Sequence, residues 1–123
     1  MEVSQLRNRN IFIAEDEYSF ACELAKTLAM AGARVIRPVD AIEDTLDFIM
    51  SSALIDGAIL SVNLQGEATF VAAEHLLRRR IPFIFVVGFN SSTIPEELKD
   101  IPSFEKPVDP GQLIVAMASL IAA

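Results

Sequence analysis

Residues 10–17, Asn10-Ile11-Phe12-Ile13-Ala14-Glu15-Asp16-Glu17, change character midway: an apolar, β-favouring run stops at three consecutive acids. Phe20, Leu24 and Leu28, flanked by Ala21 and Ala25, then recur at helical spacing, so a strand gives way to a helix across an acidic turn. Gly32 stands where a helix C-cap glycine belongs, and Ala33 to Ile36 supplies a second strand that Pro38 ends. The opening of the chain therefore reads as a β-α-β unit.

The same alternation continues outward. Asp40 and Glu43 fit a capping box, and Ile42, Leu46 and Ile49 line one face of the helix it opens. Ala58 to Val62 is apolar apart from Ser61, as a strand covered on both faces should be, and Gly66 marks the loop after it. Phe70, Ala73 and Leu77 space a third helix, and Pro82 to Val87, uncharged throughout, reads as the most buried strand. Thr93, Pro95 and Glu96 predict a short fourth helix with proline near its first turn. Ile101 to Phe104 predicts a fifth strand, which Pro102 assigns to a sheet edge. Asp109, Pro110 and Gln112 then start a last helix whose buried stripe is Leu113, Met117 and Leu120.

Five strands alternating with five helices predict an α/β fold, a flavodoxin-like doubly wound five-stranded parallel sheet of order 2-1-3-4-5, in one domain spanning residues 1–123. Ligands of such sheets sit beyond the carboxyl ends of the strands, where strand order reverses. The acids at 15–17 fall there.

Composition narrows the function classes. A formal charge of −7 argues against nonspecific nucleic-acid binding, because phosphates would repel the surface. Arg78, Arg79 and Arg80, the one basic cluster, fall at a helix end, where cations offset the macrodipole. Although 52% of residues are hydrophobic, no apolar run approaches the ~18 residues of a membrane span, and residues 1–10 lack a secretory pattern, so a cytoplasmic location is expected. The single cysteine, Cys22, reads as a core or boundary residue of the first helix. His75 has no second histidine or cysteine to complete a metal site, and Phe83, Phe85 and Phe89 read as strand core and loop anchor.

Glu15, Asp16 and Glu17 suit half of a Mg²⁺ site, since that ion takes one or two carboxylates plus waters, but acids also favour the positive end of a helix dipole. Taken together, the acidic pair after the first strand, Leu60-Ser61-Val62-Asn63-Leu64 ending the third, Gly88 after the fourth and Lys106-Pro107 before the last helix resemble a response-regulator receiver over essentially the whole chain. In that family two acids and an aspartate ending the third strand hold Mg²⁺, and the aspartate takes a phosphoryl group from a histidine kinase. A hydroxyl residue ending the fourth strand and the lysine before proline contact the phosphoryl oxygens. Glu15, Asp16 and Lys106 match, and the resemblance further implies a cis Lys106-Pro107 bond.

Two positions depart from the pattern: Ser61 stands at the phosphoacceptor and Val87 at the hydroxyl position. A serine hydroxyl is neutral and needs an adjacent general base, which the sequence does not obviously supply. Mg²⁺, left with Glu15, Asp16 and the backbone carbonyl of Asn63, should bind about tenfold or more weaker if the missing ligand is worth ~1.4 kcal/mol. Val87 has nearly the volume of threonine but no donor, so the family's conformational readout loses its anchor. Ser103 stands where many receivers carry an aromatic switch.

The resemblance thus implies a degenerate, non-enzymatic signalling module that needs no cofactor and acts by binding a histidine kinase, phosphotransfer or other signalling protein. It also implies pairing of copies through the face from Thr93 to Ile121, which exposed Ile114 or Ile121 would support. The alternative is a working phosphoacceptor that uses Ser61 or a neighbouring carboxylate. A flavin carrier on the same fold is disfavoured, because three acids occupy the flavin-phosphate loop and the lack of Trp, with a single Tyr at Tyr18, leaves little to stack on the flavin ring.

Overall fold

The computed structural model describes residues 5–51 and 53–122, with the backbone but not the side chain of Arg37. Its elements are β1 (Asn10–Ala14), α1 (Tyr18–Met30), β2 (Arg34–Val39), α2 (Ile42–Met50), β3 (Gly57–Ser61), β4 (Asn63–Leu64), β5 (Glu67–Ala68), α3 (Phe70–Arg78), β6 (Phe83–Val87), β7 (Ser103–Glu105) and α4 (Pro110–Ala122). Five strands pair in parallel in the order β2-β1-β3-β6-β7, and β4 and β5 form a separate antiparallel hairpin. With the hairpin set aside, this is the 2-1-3-4-5 order expected from the sequence, in the doubly wound, flavodoxin-like arrangement.

Side chains alternate across a strand, so each central strand feeds two cores. Phe12, Leu60, Phe83 and Phe85 pack with Ile49 of α2 and Ala73 and Leu76 of α3. On the other face, Ile11, Ile13, Ile59, Ile84 and Val86 pack with Leu24 and Leu28 of α1 and Leu113 and Met117 of α4. All five residues of β3 are buried, which explains its nearly unbroken apolar sequence. Each large side chain so buried contributes about 1.5–3 kcal/mol. Gly32 ends α1 with φ of +92°, and a β-carbon there would come 3.0 Å from the Arg7 backbone.

Several expectations are corrected. The described residues form four α-helices rather than five: the segment around Thr93, Pro95 and Glu96 yields only a 3₁₀ turn at Glu96–Leu98. Only Leu98 of that turn is buried, so no apolar stripe sustains an α-helix before Pro102. The last sheet strand is Ser103–Glu105, because Pro102 contributes its carbonyl to Phe85 and has no N–H to give. The Asp40–Glu43 capping box does not form; Ala41 is the N-cap without a side-chain bond, and the Thr45 hydroxyl donates to the Ala41 carbonyl. Strand β2 runs through Pro38, at a sheet edge where the register slips between Phe12 and Ala14. Cys22 is exposed on α1, not a core residue, and Phe89 is 97% exposed, not a loop anchor. Among the described residues no helix is long and apolar enough to cross a membrane.

Candidate functional site

Strands β1, β3 and β6 end side by side, and the turns beyond them enclose a cleft of about 880 Å³ lined in part by Asp16, Glu17, Ser61, Asn63, Gly88 and Lys106. Parallel pairing fixes this juxtaposition, since Ala14 lies opposite Leu60 and Ser61 opposite Val86. Glu15 follows β1 directly, and its N–H donates to the Val39 carbonyl at 2.9 Å, which extends the strand and turns its side chain inward. The residue is only 3% exposed.

A buried carboxylate needs partners, and Glu15 has three. Ser61 Oγ donates to Glu15 Oε1 at 2.5 Å. The Glu17 N–H and the Lys106 ammonium donate to Oε2 at 2.8 and 3.0 Å. Lys106 bridges onward to Glu17 Oε1 at 2.7 Å and stands 4.7 Å from the centroid of the Phe20 ring. Burial by itself would lower the lysine pKa, but the bonds to Glu17 and Glu15 outweigh it and hold the pKa above the ordinary lysine value. The Lys106 N–H donates to the Val87 carbonyl at 2.9 Å, and the Lys106-Pro107 bond is cis, as the resemblance implied.

A second set of bonds ties the surrounding turns. Gln65, at the tip of the β4–β5 hairpin, donates its N–H to Asp16 Oδ2 at 2.6 Å and its amide to the Asp40 carbonyl at 2.9 Å. The Asn63 side chain exchanges bonds with Ser92, donating to its Oγ at 3.0 Å and accepting its N–H at 2.8 Å. Ser91 Oγ accepts the Gly88 N–H at 2.8 Å. Beneath them, the buried Thr69 hydroxyl reaches the carbonyls of Ser61 and Val62 at 2.7 and 3.1 Å.

Glu15, Ser61 and Lys106 are thus in direct contact, whereas Asp16 faces the hairpin and Asn63 engages Ser92. Val87 packs against the core with Phe70 and Leu98 and brings no hydroxyl to the cleft; the hydroxyls lining it beyond β6 belong to Ser91 and Ser92. The sequence does not obviously supply a base for Ser61; in the structure Glu15 accepts the hydrogen bond of its hydroxyl. As a cation site the arrangement fits poorly. Both Glu15 oxygens are already engaged, one Asp16 oxygen is taken by Gln65, and among the described residues no group of three or more His, Cys, Asp or Glu is placed to hold a metal ion.

Fold and site define a CheY-like α/β domain whose chemistry gathers at the carboxyl edge of its sheet. SdrG from Sphingomonas melonis Fr1 is similar at 29% identity and a TM-score of 0.80, over 94% of this chain and 98% of that one. The BeF3-activated conformation of SdrG, from Pseudomonas melonis Fr1, is 30% identical with a TM-score of 0.71, over 98% and 99%. A response regulator receiver protein from Sinorhizobium medicae WSM419 is 25% identical with a TM-score of 0.80, over 96% and 98%. No family model and no curated protein matches the chain. The chain belongs to the response-regulator receiver family, the signalling modules of two-component systems.

Proposed function

We propose that this chain is a receiver module that does not take up a phosphoryl group at Ser61 and acts by binding another signalling protein. The observation that carries this reading is the 2.5 Å bond from Ser61 Oγ to the buried Glu15 carboxylate, inside a network closed by Lys106. The hydroxyl is neutral and already spent on Glu15. A phosphoester there would set a new anion against Glu15, at about 4 kcal/mol for each pair of like unit charges at 4 Å and an effective dielectric of 20, with one ammonium to offset it. Val87 then has no hydrogen bond with which to report a phosphoryl group.

Mg²⁺ binding to Glu15, Asp16 and the Asn63 carbonyl is correspondingly weak, and no cofactor is required. The partner is a histidine kinase, a phosphotransfer protein or another signalling protein, and the module itself is not an enzyme. The face from Thr93 to Ile121 serves for contact, including contact with a second copy. Ile114 takes no part in it, being buried against the core, whereas Val115 on the same helix is 58% exposed.

One observation favours a second reading. Glu15 is placed to take the Ser61 proton, so a phosphoester at Ser61 has a base available. Intact-mass measurement after acetyl phosphate separates the two. The proposed function predicts no added phosphate on the wild type and uptake by Ser61→Asp. Stable phosphate on wild-type Ser61 would establish the second reading instead.

A further inference from the structure

The poor fit of the pocket to a divalent cation has a specific source. Three donors engage both oxygens of Glu15, and the only one carrying charge is the Lys106 ammonium, which also holds Glu17. We propose that Lys106 is the pocket's built-in cation: it holds the carboxylate oxygens that a divalent ion would need and joins the turn after β1 to the turn after β7 without a metal. The inference deepens the proposed function and rests on it only in taking the pocket as one that transfers no phosphate.

The lysine is seated from several directions. Its N–H is fixed to Val87 at 2.9 Å and its ammonium lies 4.7 Å from the Phe20 centroid. It pairs with Glu17 at 2.7 Å and with Glu15 at 3.0 Å, residues 89 and 91 positions away in the chain. With no charge at Ser61 to attract it, the ammonium stays with these two acids. An incoming Mg²⁺ would have to strip both ion pairs and shed water, which that ion does reluctantly. Asp16 is no ready substitute, because Oδ2 is held by the Gln65 N–H at 2.6 Å. The Gln65 and Asn63 bonds tie the hairpin to the turns after β1, β2 and β6, and none of them requires a metal.

The proposal separates two causes of weak Mg²⁺ binding: occupation by Lys106, or the missing ligand at Ser61. Amide-shift titrations with Mg²⁺ on the wild type, Lys106→Met and Lys106→Gln distinguish them. If Lys106 excludes the ion, both variants bind Mg²⁺ at least tenfold more tightly than the wild type, with shifts centred on Glu15, Asp16 and Asn63. Equal affinity in all three proteins would overturn the proposal and leave position 61 as the cause. The wild type gives a readout that needs no variant to fold: the Lys106 ammonium resonance moves only along the same weak Mg²⁺ curve as the Glu15 and Asp16 amides, and saturable Mg²⁺ shifts at those amides with Lys106 unmoved would overturn the proposal too. Phosphate uptake, followed by mass on the same wild-type sample, bears only on the proposed function, so the two can fail separately.

Discussion

Replacing Ser61 by alanine removes one hydrogen bond, the 2.5 Å contact to Glu15 Oε1, and turns a methyl group toward a carboxylate that is 3% exposed. A hydrogen bond to a charged group is worth about 1.5–3 kcal/mol. Two features of the site set the value near the lower end. The Glu17 N–H and Lys106 still hold Oε2, and Ser61 borders the cleft, from which water can reach the vacated position. The expected loss is about 1.5–2 kcal/mol. For a domain of this length each kcal/mol corresponds to roughly 3–6 °C, so Tm falls by about 5–12 °C. Urea unfolding at neutral pH should show a lower midpoint at unchanged m, since the surface exposed on unfolding is the same. In a Glu15→Gln background the same substitution should cost at most about half as much, because the acceptor no longer carries charge. A loss below about 0.5 kcal/mol in the wild-type background, the size of an ordinary surface substitution, would refute the buried Ser61–Glu15 bond.

Thr69→Val keeps the side-chain volume but removes the donor to the Ser61 and Val62 carbonyls, and should lower stability by about 1–2 kcal/mol in urea unfolding; an unchanged midpoint would show that those carbonyls are satisfied without it. Lys106 should give a specific alkaline dependence. Its folded pKa is raised above the ordinary lysine value, so its contribution is fully present below the unfolded value and is lost as pH rises through the folded one. Lys106→Met should therefore reduce the fall in stability above about pH 10.4, and identical profiles for the two proteins would contradict the ion pairs.

The sheet was legible because its strands are nearly uninterrupted apolar runs, as in Ala58 to Val62 and Pro82 to Val87, and the helices between them show clean spacing, as in Phe20, Leu24 and Leu28. Prolines and capping residues misled where burial decides the outcome. Thr93, Pro95 and Glu96 look like a helix start, but an α-helix needs an apolar face and this segment buries only Leu98 in its turn. The sequence around Gly66 reads as a loop and not as the β4–β5 hairpin, because Gln65-Gly66 is a weaker turn signal than Asn-Gly, although both residues take positive φ.

At the site, Glu15, Asp16, Ser61, Asn63, Val87 and Lys106 came from matching a family pattern, and the structure brings Glu15, Ser61 and Lys106 into contact. Glu17 was seen only as part of an acidic run; its tie to Lys106 spans 89 positions and leaves no local trace. Thr69 and Ser92 were missed for the same reason. Their bonds to Ser61 and Asn63 cross between turns, and an isolated threonine or serine in sequence carries no sign of such a partner. The hydroxyls of Ser91 and Ser92 follow Val87 closely in sequence, so the chain itself places donors beside the one that Val87 lacks.

The central claim is that the pocket no longer receives a phosphoryl group and switches the domain. An amide-shift comparison of the wild type in Mg²⁺, with and without beryllofluoride as a mimic of a phosphoryl group on a receiver carboxylate, tests it most directly. The account predicts no beryllofluoride response, either at Ser61 or across residues 93–105. Saturable shifts that spread from Ser61 into the Glu96–Leu98 turn and β7 would contradict it.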